Sequence, residues 1–331
     1  MNNKLFLFLL LPFILLVIGC DRVVDESQDD EMARFNAWIS VHNYTNYKTP
    51  SGLYYINMQE GIGASPVDSS YLLFSYVFRD IDDIVYETTY KDIAILYDIY
   101  GLYKTTTHYA PVYKQFFSEV SSPNGFIEGL GMMKEGGKAR LIMPSSLGYG
   151  IIGSSSIPPF TPLIYDIELK KVVTNPKAYE QSLIDNYRID STGFNSILDS
   201  IYIKRISAGT RTCIIAKDSV VKVNYVGRFL EDGYIFDTNI KQTAIDSNIY
   251  VNTKQYTPLE FTVGSFTSGT SPIKGFHLAV KNMIEGEKAT FIMPSKSAYG
   301  VRTSNQIYPY TPLVFEITIV SVGPKGSETP R

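Results

Sequence analysis

Two stretches of this 331-residue chain are versions of one another: GFIEGLGMMKEGGKARLIMPSSLGYG, beginning at Gly125, and GFHLAVKNMIEGEKATFIMPSKSAYG, beginning at Gly275. They lie 150 residues apart, and half of their aligned positions are identical. The same offset relates Leu163 to Leu313 in TPLIYDIEL and TPLVFEITI, and an offset of 149 relates Tyr76 to Tyr225. Solenoid repeats run to roughly 20–45 residues each, so a period this long is the mark of a duplicated domain.

Each copy reads as one order of elements. A helix-period stretch opens it, at Asp30–Asn43 and at Pro176–Asp190, where Tyr179, Leu183, Ile184 and Tyr187 recur at helical spacing. Strand-like runs follow at Gly52–Met58 and Tyr71–Arg79, and at Ile201–Ile206 and Val220–Phe229. Then come a helix (Gly125–Met133 and Gly275–Met283), a strand (Lys138–Met143 and Lys288–Met293), and a Tyr-Gly and Pro-containing loop. The last strand is Leu163–Val172 or Leu313–Val322. This order predicts an α+β fold, mostly antiparallel sheet with one central helix per copy.

The N-terminus sets a compartment. Fourteen apolar residues, Leu5–Ile18, end at Gly19-Cys20 and give way to an acidic stretch, Asp21–Glu31. Such a run is short for a membrane span and suits a secretory signal. Val17-Ile18-Gly19-Cys20 is similar to the lipobox of bacterial lipoproteins, which makes Cys20 the expected lipidation site and an exported, membrane-anchored location the expectation. An ordinary signal peptide, or a short signal anchor, that happens to contain a Cys is the plainer alternative. The expected boundaries are a leader at 1–19, a tether at 20–30, domains at 31–173 and 174–323, and a tail at 324–331. Cys213 has no partner for an internal bridge once Cys20 is lipidated. His42, His108 and His277 lack zinc-type spacing, so no metal and no cofactor is expected. A net charge of −3 lacks the basic footprint of a nucleic-acid binder.

VNYVGRFLEDGYIFD at Val223–Asp237, the Gly275 segment and YPYTPLVFEITIV from Tyr308 together resemble the FKBP family of peptidyl-prolyl cis-trans isomerases, and the first copy carries weaker versions of the same blocks. The resemblance covers nearly the whole chain after the tether. It implies a bent antiparallel sheet wrapped around a short helix in each copy, each preceded here by an extra helix, with the site between helix and sheet. Its partners would be X-Pro segments of folding exported proteins and macrolide inhibitors. A non-catalytic chaperone holding Pro-containing segments is the alternative.

Carried over position by position, the resemblance assigns catalytic roles in the second copy to Tyr225, Phe236, Asp237, Ile273, Phe276, Tyr299 and Phe315, and substrate contacts to Leu259 and Ile307. Taken singly, Phe276 and Phe315 are equally what core packing would use. The matching positions in the first copy are Tyr76, Tyr86, Glu87, Pro123, Phe126, Tyr149, Ile157 and Tyr165, a set that departs further from the family. Pro123 stands where the family uses a backbone N–H to hold a substrate carbonyl, and proline has none. Activity is therefore expected mainly in the second copy. Long segments at Thr89–Pro111 and Thr238–Pro258 leave the rims undefined.

Overall fold

The computed structural model describes residues 28–101, 108–117, 124–210, 215–265, 272–304 and 306–323. Cys20, the leader, Pro123, Cys213 and the tail at 324–331 lie outside the described residues. The first copy contains α1 (Gln28–Val41), β1 (Tyr54–Gln59), β2 (Tyr71–Asp80), β3 (Val85–Thr88), α2 (Lys91–Leu96), β4 (Val112–Gln115), α3 (Asn124–Met132), β5 (Lys138–Met143) and β6 (Leu163–Val173). The second contains α4 (Pro176–Asp190), β7 (Asn195–Ser196), β8 (Tyr202–Ser207), β9 (Val220–Phe229), β10 (Ile235–Thr238), α5 (Lys241–Asp246), β11 (Leu259–Thr262), α6 (Lys274–Val280), β12 (Lys288–Met293) and β13 (Leu313–Gly323).

Each copy builds one antiparallel sheet. The strand order is β1-β5-β6-β2-β3 with β4 also on β2, and β10-β9-β13-β12-β8-β7 with β11 also on β9. The edge of β2 is thus shared: Tyr71–Phe74 pair with β4 and Val77–Arg79 with β3. Between those two short strands the chain leaves the sheet and makes the helix α2. The second copy repeats this with β10, α5 and β11 on β9. The two long segments, Thr89–Pro111 and Thr238–Pro258, are therefore one duplicated flap, with a six-residue helix in each copy that the sequence pattern does not predict. In both copies a lysine at the helix start sits over a tyrosine (Lys91 over Tyr100, Lys241 over Tyr250), and that tyrosine stacks on a second one (Tyr109 or Tyr256).

The sheets are buried on both faces, which is why their central strands read as continuous apolar runs. On β5, Ala139, Leu141 and Met143 face the cluster beneath α3, while Ile142 faces α1 and packs with Phe35 and Ile39. On β12, Phe291 and Met293 face α6 while Ile292 meets Ile184 of α4. The central helix approaches closely because glycine lets it. A Cβ on Gly275 would come within 2.6 Å of Met293 Sδ and 2.9 Å of the Ser297 carbonyl oxygen.

The outer helices are pinned by buried carboxylates. Glu31 accepts the Ser145 N–H at 2.6 Å and its hydroxyl at 2.5 Å, and Glu180 accepts the same two groups of Ser295. Helix α1 begins at Gln28, so Gln28–Asp30 belong to it and not to the expected tether. Acidic residues in a first turn are favoured by the helix dipole.

The copies touch through aromatic side chains. Tyr71, Tyr113 and Val173 of the first cluster with Tyr179, Tyr308 and Tyr310 of the second. The His108 ring stacks on Tyr234 and Phe229, with centroid distances of 4.1 and 4.9 Å, and meets Asp232 Oδ2 at 2.6 Å.

Candidate functional site

In the second copy the assigned residues converge between α6 and the sheet. Phe276 on α6 meets Phe315 on β13 at 4.8 Å between centroids and Tyr225 on β9 at 5.5 Å, both edge to face. Phe236 meets Phe315 at 5.8 Å, again edge to face. Phe276, Phe315 and Ile307 are buried, whereas Tyr225, Phe236, Leu259, Ile273 and Tyr299 are half-buried against the same cluster. The result is a cleft with an apolar aromatic floor and an accessible rim.

Local structure explains how each side chain gets there. Ile235 pairs with Arg228 and Asp237 with Gly227, so Phe236 is the extra residue of a β-bulge, a device that re-aims a side chain. Ile273 is the N-cap of α6, in extended conformation, its carbonyl accepting the Phe276 N–H. Tyr299 follows the 3-10 turn Ser295–Ser297 that Glu180 anchors. Gly227 is required on β9, because a Cβ there would fall 2.7 Å from Phe315 Cε1 and 2.8 Å from Phe236 Cζ.

The polar end of the cleft is Asp237. Its Oδ2 accepts the Tyr225 hydroxyl at 2.7 Å and its Oδ1 takes Lys254 Nζ at 2.5 Å. Lys254 also donates to the Thr238 carbonyl at 2.9 Å. Burial, then the Asp237 carboxylate, push both the Tyr225 and Tyr299 hydroxyls up, so both stay protonated as donors. The flap is fastened at its root by Asn239. The side chain of Asn239 accepts the Tyr225 N–H at 2.8 Å and donates to the carbonyls of Val223 and Thr257.

The first copy brings together Tyr76, Tyr86, Phe126, Tyr149, Ile157 and Tyr165 in its own cluster. Glu87 joins through a hydrogen bond from the Tyr76 hydroxyl, which burial and that carboxylate push up. The space differs, however. Phe78 occupies the register position of Gly227, opposite Glu87 as Gly227 is opposite Asp237. The ring of Phe78 stacks on Tyr165 at 4.3 Å and packs against Tyr86 at 5.5 Å and Tyr149 at 6.4 Å. Tyr86, again the bulge residue, is buried and donates to Asp80 Oδ2 at 2.8 Å. Tyr308 from the second copy stands at the polar rim, close enough to Glu87 that, after burial, this carboxylate raises its pKa.

Sequence reasoning missed Phe78, Lys254, Tyr308 and the two anchoring glutamates. The repeat carried a signal for the first: one position past Val77 and Val226, a Phe faces a Gly. Glu31 and Glu180 recur 149 residues apart. Lys254 and Tyr308 carried none, since their importance lies in contacts across long loops.

A family model for FKBP-type peptidyl-prolyl cis-trans isomerase matches residues 113–170 and 213–320, half of the chain. The FKBP-type peptidyl-prolyl cis-trans isomerase FkpA of Escherichia coli K12 is 32% identical over 145 residues, 44% of this chain and 47% of the relative. The FK506-binding protein of Neisseria meningitidis serogroup B is 53% identical over 49 residues, 14% of this chain and 45% of the relative. The crystal structure of a Pseudomonas syringae peptidyl-prolyl cis-trans isomerase aligns with 45% of this chain and 93% of its own, at 29% identity and a TM-score of 0.35. The chain spans about half the length of the curated relatives it matches. It belongs to the FKBP-type peptidyl-prolyl cis-trans isomerase family.

Proposed function

We propose that the chain is a prolyl isomerase acting on X-Pro bonds of exported proteins, built of two FKBP-like domains, with turnover mainly in the second. The observation that carries this reading is the Gly227–Phe78 difference. Gly227 leaves β9 without a side chain beside Phe315 and Phe236, whereas Phe78 stands at that register position in the first copy and stacks on Tyr165. Prolyl isomerisation crosses a barrier of roughly 18–20 kcal/mol because amide resonance is lost in the twisted state. That state has given up its charge separation, so an apolar cavity favours it over the planar ground state, while water favours the planar form. This is binding that strengthens at the transition state.

Phe276 would form the floor, with Tyr225, Phe236 and Phe315 as walls, Leu259 at the rim, and the buried Ile307 adding apolar surface to the same cluster. The Ile273 N–H and the Tyr299 hydroxyl would fix substrate carbonyls, and Asp237, clasped by Tyr225 and Lys254, would orient the polar end. Proline-peptide turnover by the full chain tests the assignment. Phe276→Ala should remove most of the rate and Phe126→Ala should barely change it; equal losses would overturn it. FK506-type ligands should bind the second cleft and inhibit, and Phe276→Ala should abolish that binding.

Export and anchoring through lipidated Cys20 belong to the same proposal, supported by the apolar run that ends there. The two or three acyl chains of such an anchor hold firmly where one would not. Cys20→Ser should move the protein out of the membrane fraction; an unchanged distribution would refute the anchor.

A further inference from the structure

One wall of the second cleft is backed from the first copy. Phe229 ends β9, and its ring packs against Phe236, the bulge residue of that wall, at 5.2 Å between centroids. The same ring takes His108 of the first copy's flap at 4.9 Å, stacked 11° from parallel, and His108 also stacks on Tyr234 at 4.1 Å. Phe229 and Tyr234 close one tight turn: the Phe229 N–H donates to the Tyr234 carbonyl at 3.0 Å, and the Gly233 N–H to the Phe229 carbonyl at 3.1 Å. Asp232 in this turn accepts the Tyr234 N–H at 2.9 Å through Oδ1, while its Oδ2 lies 2.6 Å from His108 Nε2. Burial pushes the Asp232 carboxyl up, but the hydrogen bonds from His108 and the Tyr234 N–H outweigh it and hold it below its ordinary value. An ionised carboxylate only accepts, so the His108 Nε2–H donates. The hairpin that carries Phe236 is thus gripped at its turn by the neighbouring copy.

The two copies differ at this position. The equivalent Leu163 and Leu313 face Asp80 and Phe229 across their sheets. In the first copy Asp80 accepts a hydrogen bond from the bulge residue Tyr86 at 2.8 Å, so that wall is fastened from within. In the second, neither Phe229 nor Phe236 has a polar side-chain atom, and apolar contact is non-directional. Where Phe236 stands therefore depends on where Phe229 is held. The second flap carries Gln255 before Tyr256, where the first carries His108 before Tyr109, and Gln255 is exposed. We infer that His108 is a positioning residue for the second cleft, reaching across from the first copy to back Phe229 and, through it, the Phe236 wall. This role rests on turnover in the second cleft, and it gives the first copy a part in its neighbour's chemistry.

The test is proline-peptide turnover by the full chain carrying His108→Ala. Because the wall favours the twisted state, the loss should fall on kcat, about three- to tenfold, with KM within about twofold of wild type. His108→Phe keeps a ring on Phe229 and should bring kcat back to within about twofold. In the Phe236→Ala chain, adding His108→Ala should change kcat by less than about 1.5-fold, since a residue acting through Phe236 has nothing left to act on. A histidine that only glues the copies together would instead lower the denaturant midpoint and leave kcat at its wild-type value, which overturns the proposal. So does a His108→Phe chain as slow as His108→Ala, or an undiminished loss in the Phe236→Ala background. The Phe236 ring resonances, assigned in the full chain through Phe236→Ala, give a readout that needs no turnover. They should shift in His108→Ala and return in His108→Phe. Unshifted resonances overturn the positioning role by themselves, whereas a wild-type chain without turnover overturns the isomerase reading and leaves the resonances to decide the role of His108.

Discussion

Phe78 and Tyr165 stack with their rings 4.3 Å apart and 4° from parallel, at the place where Gly227 leaves the second copy without a side chain. The exchange should therefore be reproducible in reverse. Gly227→Phe puts a ring where even a Cβ would be under 3 Å from Phe315 and Phe236. Turnover should fall at least about tenfold, and overpacking should cost roughly 1–3 kcal/mol in a denaturant titration. A variant that retains wild-type turnover would show that the filled cleft is not what separates the copies. Phe78→Gly, by contrast, removes a buried ring and should cost about 3–5 kcal/mol.

Lys254 reaches Asp237 from a flap that sequence reasoning left undefined. The pair is partly exposed, with side-chain accessibilities of 34% and 42%, so its worth is that of a surface ion pair, roughly 0.2–1 kcal/mol. Lys254→Met should lower kcat/KM by no more than about fivefold, and Lys254→Arg should restore part of it. A loss of orders of magnitude would mean that Lys254 contacts the substrate directly.

Acid stability should show two opposite contributions. Burial pushes Asp166 up, but hydrogen bonds from Arg140 and Arg79 outweigh it and hold the carboxylate below its ordinary value. A carboxylate held lower in the fold than in the unfolded chain stabilises the fold above about pH 3.9, and that contribution is lost as pH falls through the folded value. For Glu180, burial raises the pKa further than Ser295 lowers it. Its contribution is present below about pH 4.3 and is lost as pH rises through the raised value. In denaturant midpoints, Asp166→Asn should flatten the decline below about pH 4, whereas Glu180→Gln should flatten the one toward neutrality.

Asn239 ties the flap to β9 by three hydrogen bonds and is 6% exposed. Asn239→Ala leaves the Val223 and Thr257 carbonyls unpaired and should cost about 1–3 kcal/mol. Amide exchange should accelerate across residues 241–258 more than in β12 and β13; uniform acceleration would assign the loss to global unfolding instead.

The duplication made most strands legible: Val220–Phe229, Lys138–Met143 and Lys288–Met293 stand where their apolar runs begin and end. Helices α2 and α5 escaped because each is six residues long, and of each only one alanine, Ala94 or Ala244, is buried. Too short for a period to register, they could have been found only by comparing the two copies across the flap. The Phe78–Gly227 difference escaped for another reason. The offset slips from 150 to 149 on β2 and β9, and the identical Tyr76 and Tyr225 mask the Phe-for-Gly exchange two residues further on. Asp29 and Asp30 show composition misleading outright, since an acidic run reads as solvated tether until Glu31 is seen bonded to Ser145.

One loop of the second copy begins at Tyr299, beside its own Asp237, and continues to Tyr308, beside Glu87 of the neighbour. The halves of this molecule are consequently not spare parts for one another. Cut apart, the first would bare Tyr71 and Tyr113, and the second would bare Tyr179, Tyr308 and Tyr310. Each fragment would carry an adhesive aromatic face toward its own kind, so that a clean half can be had only by redesigning those tyrosines.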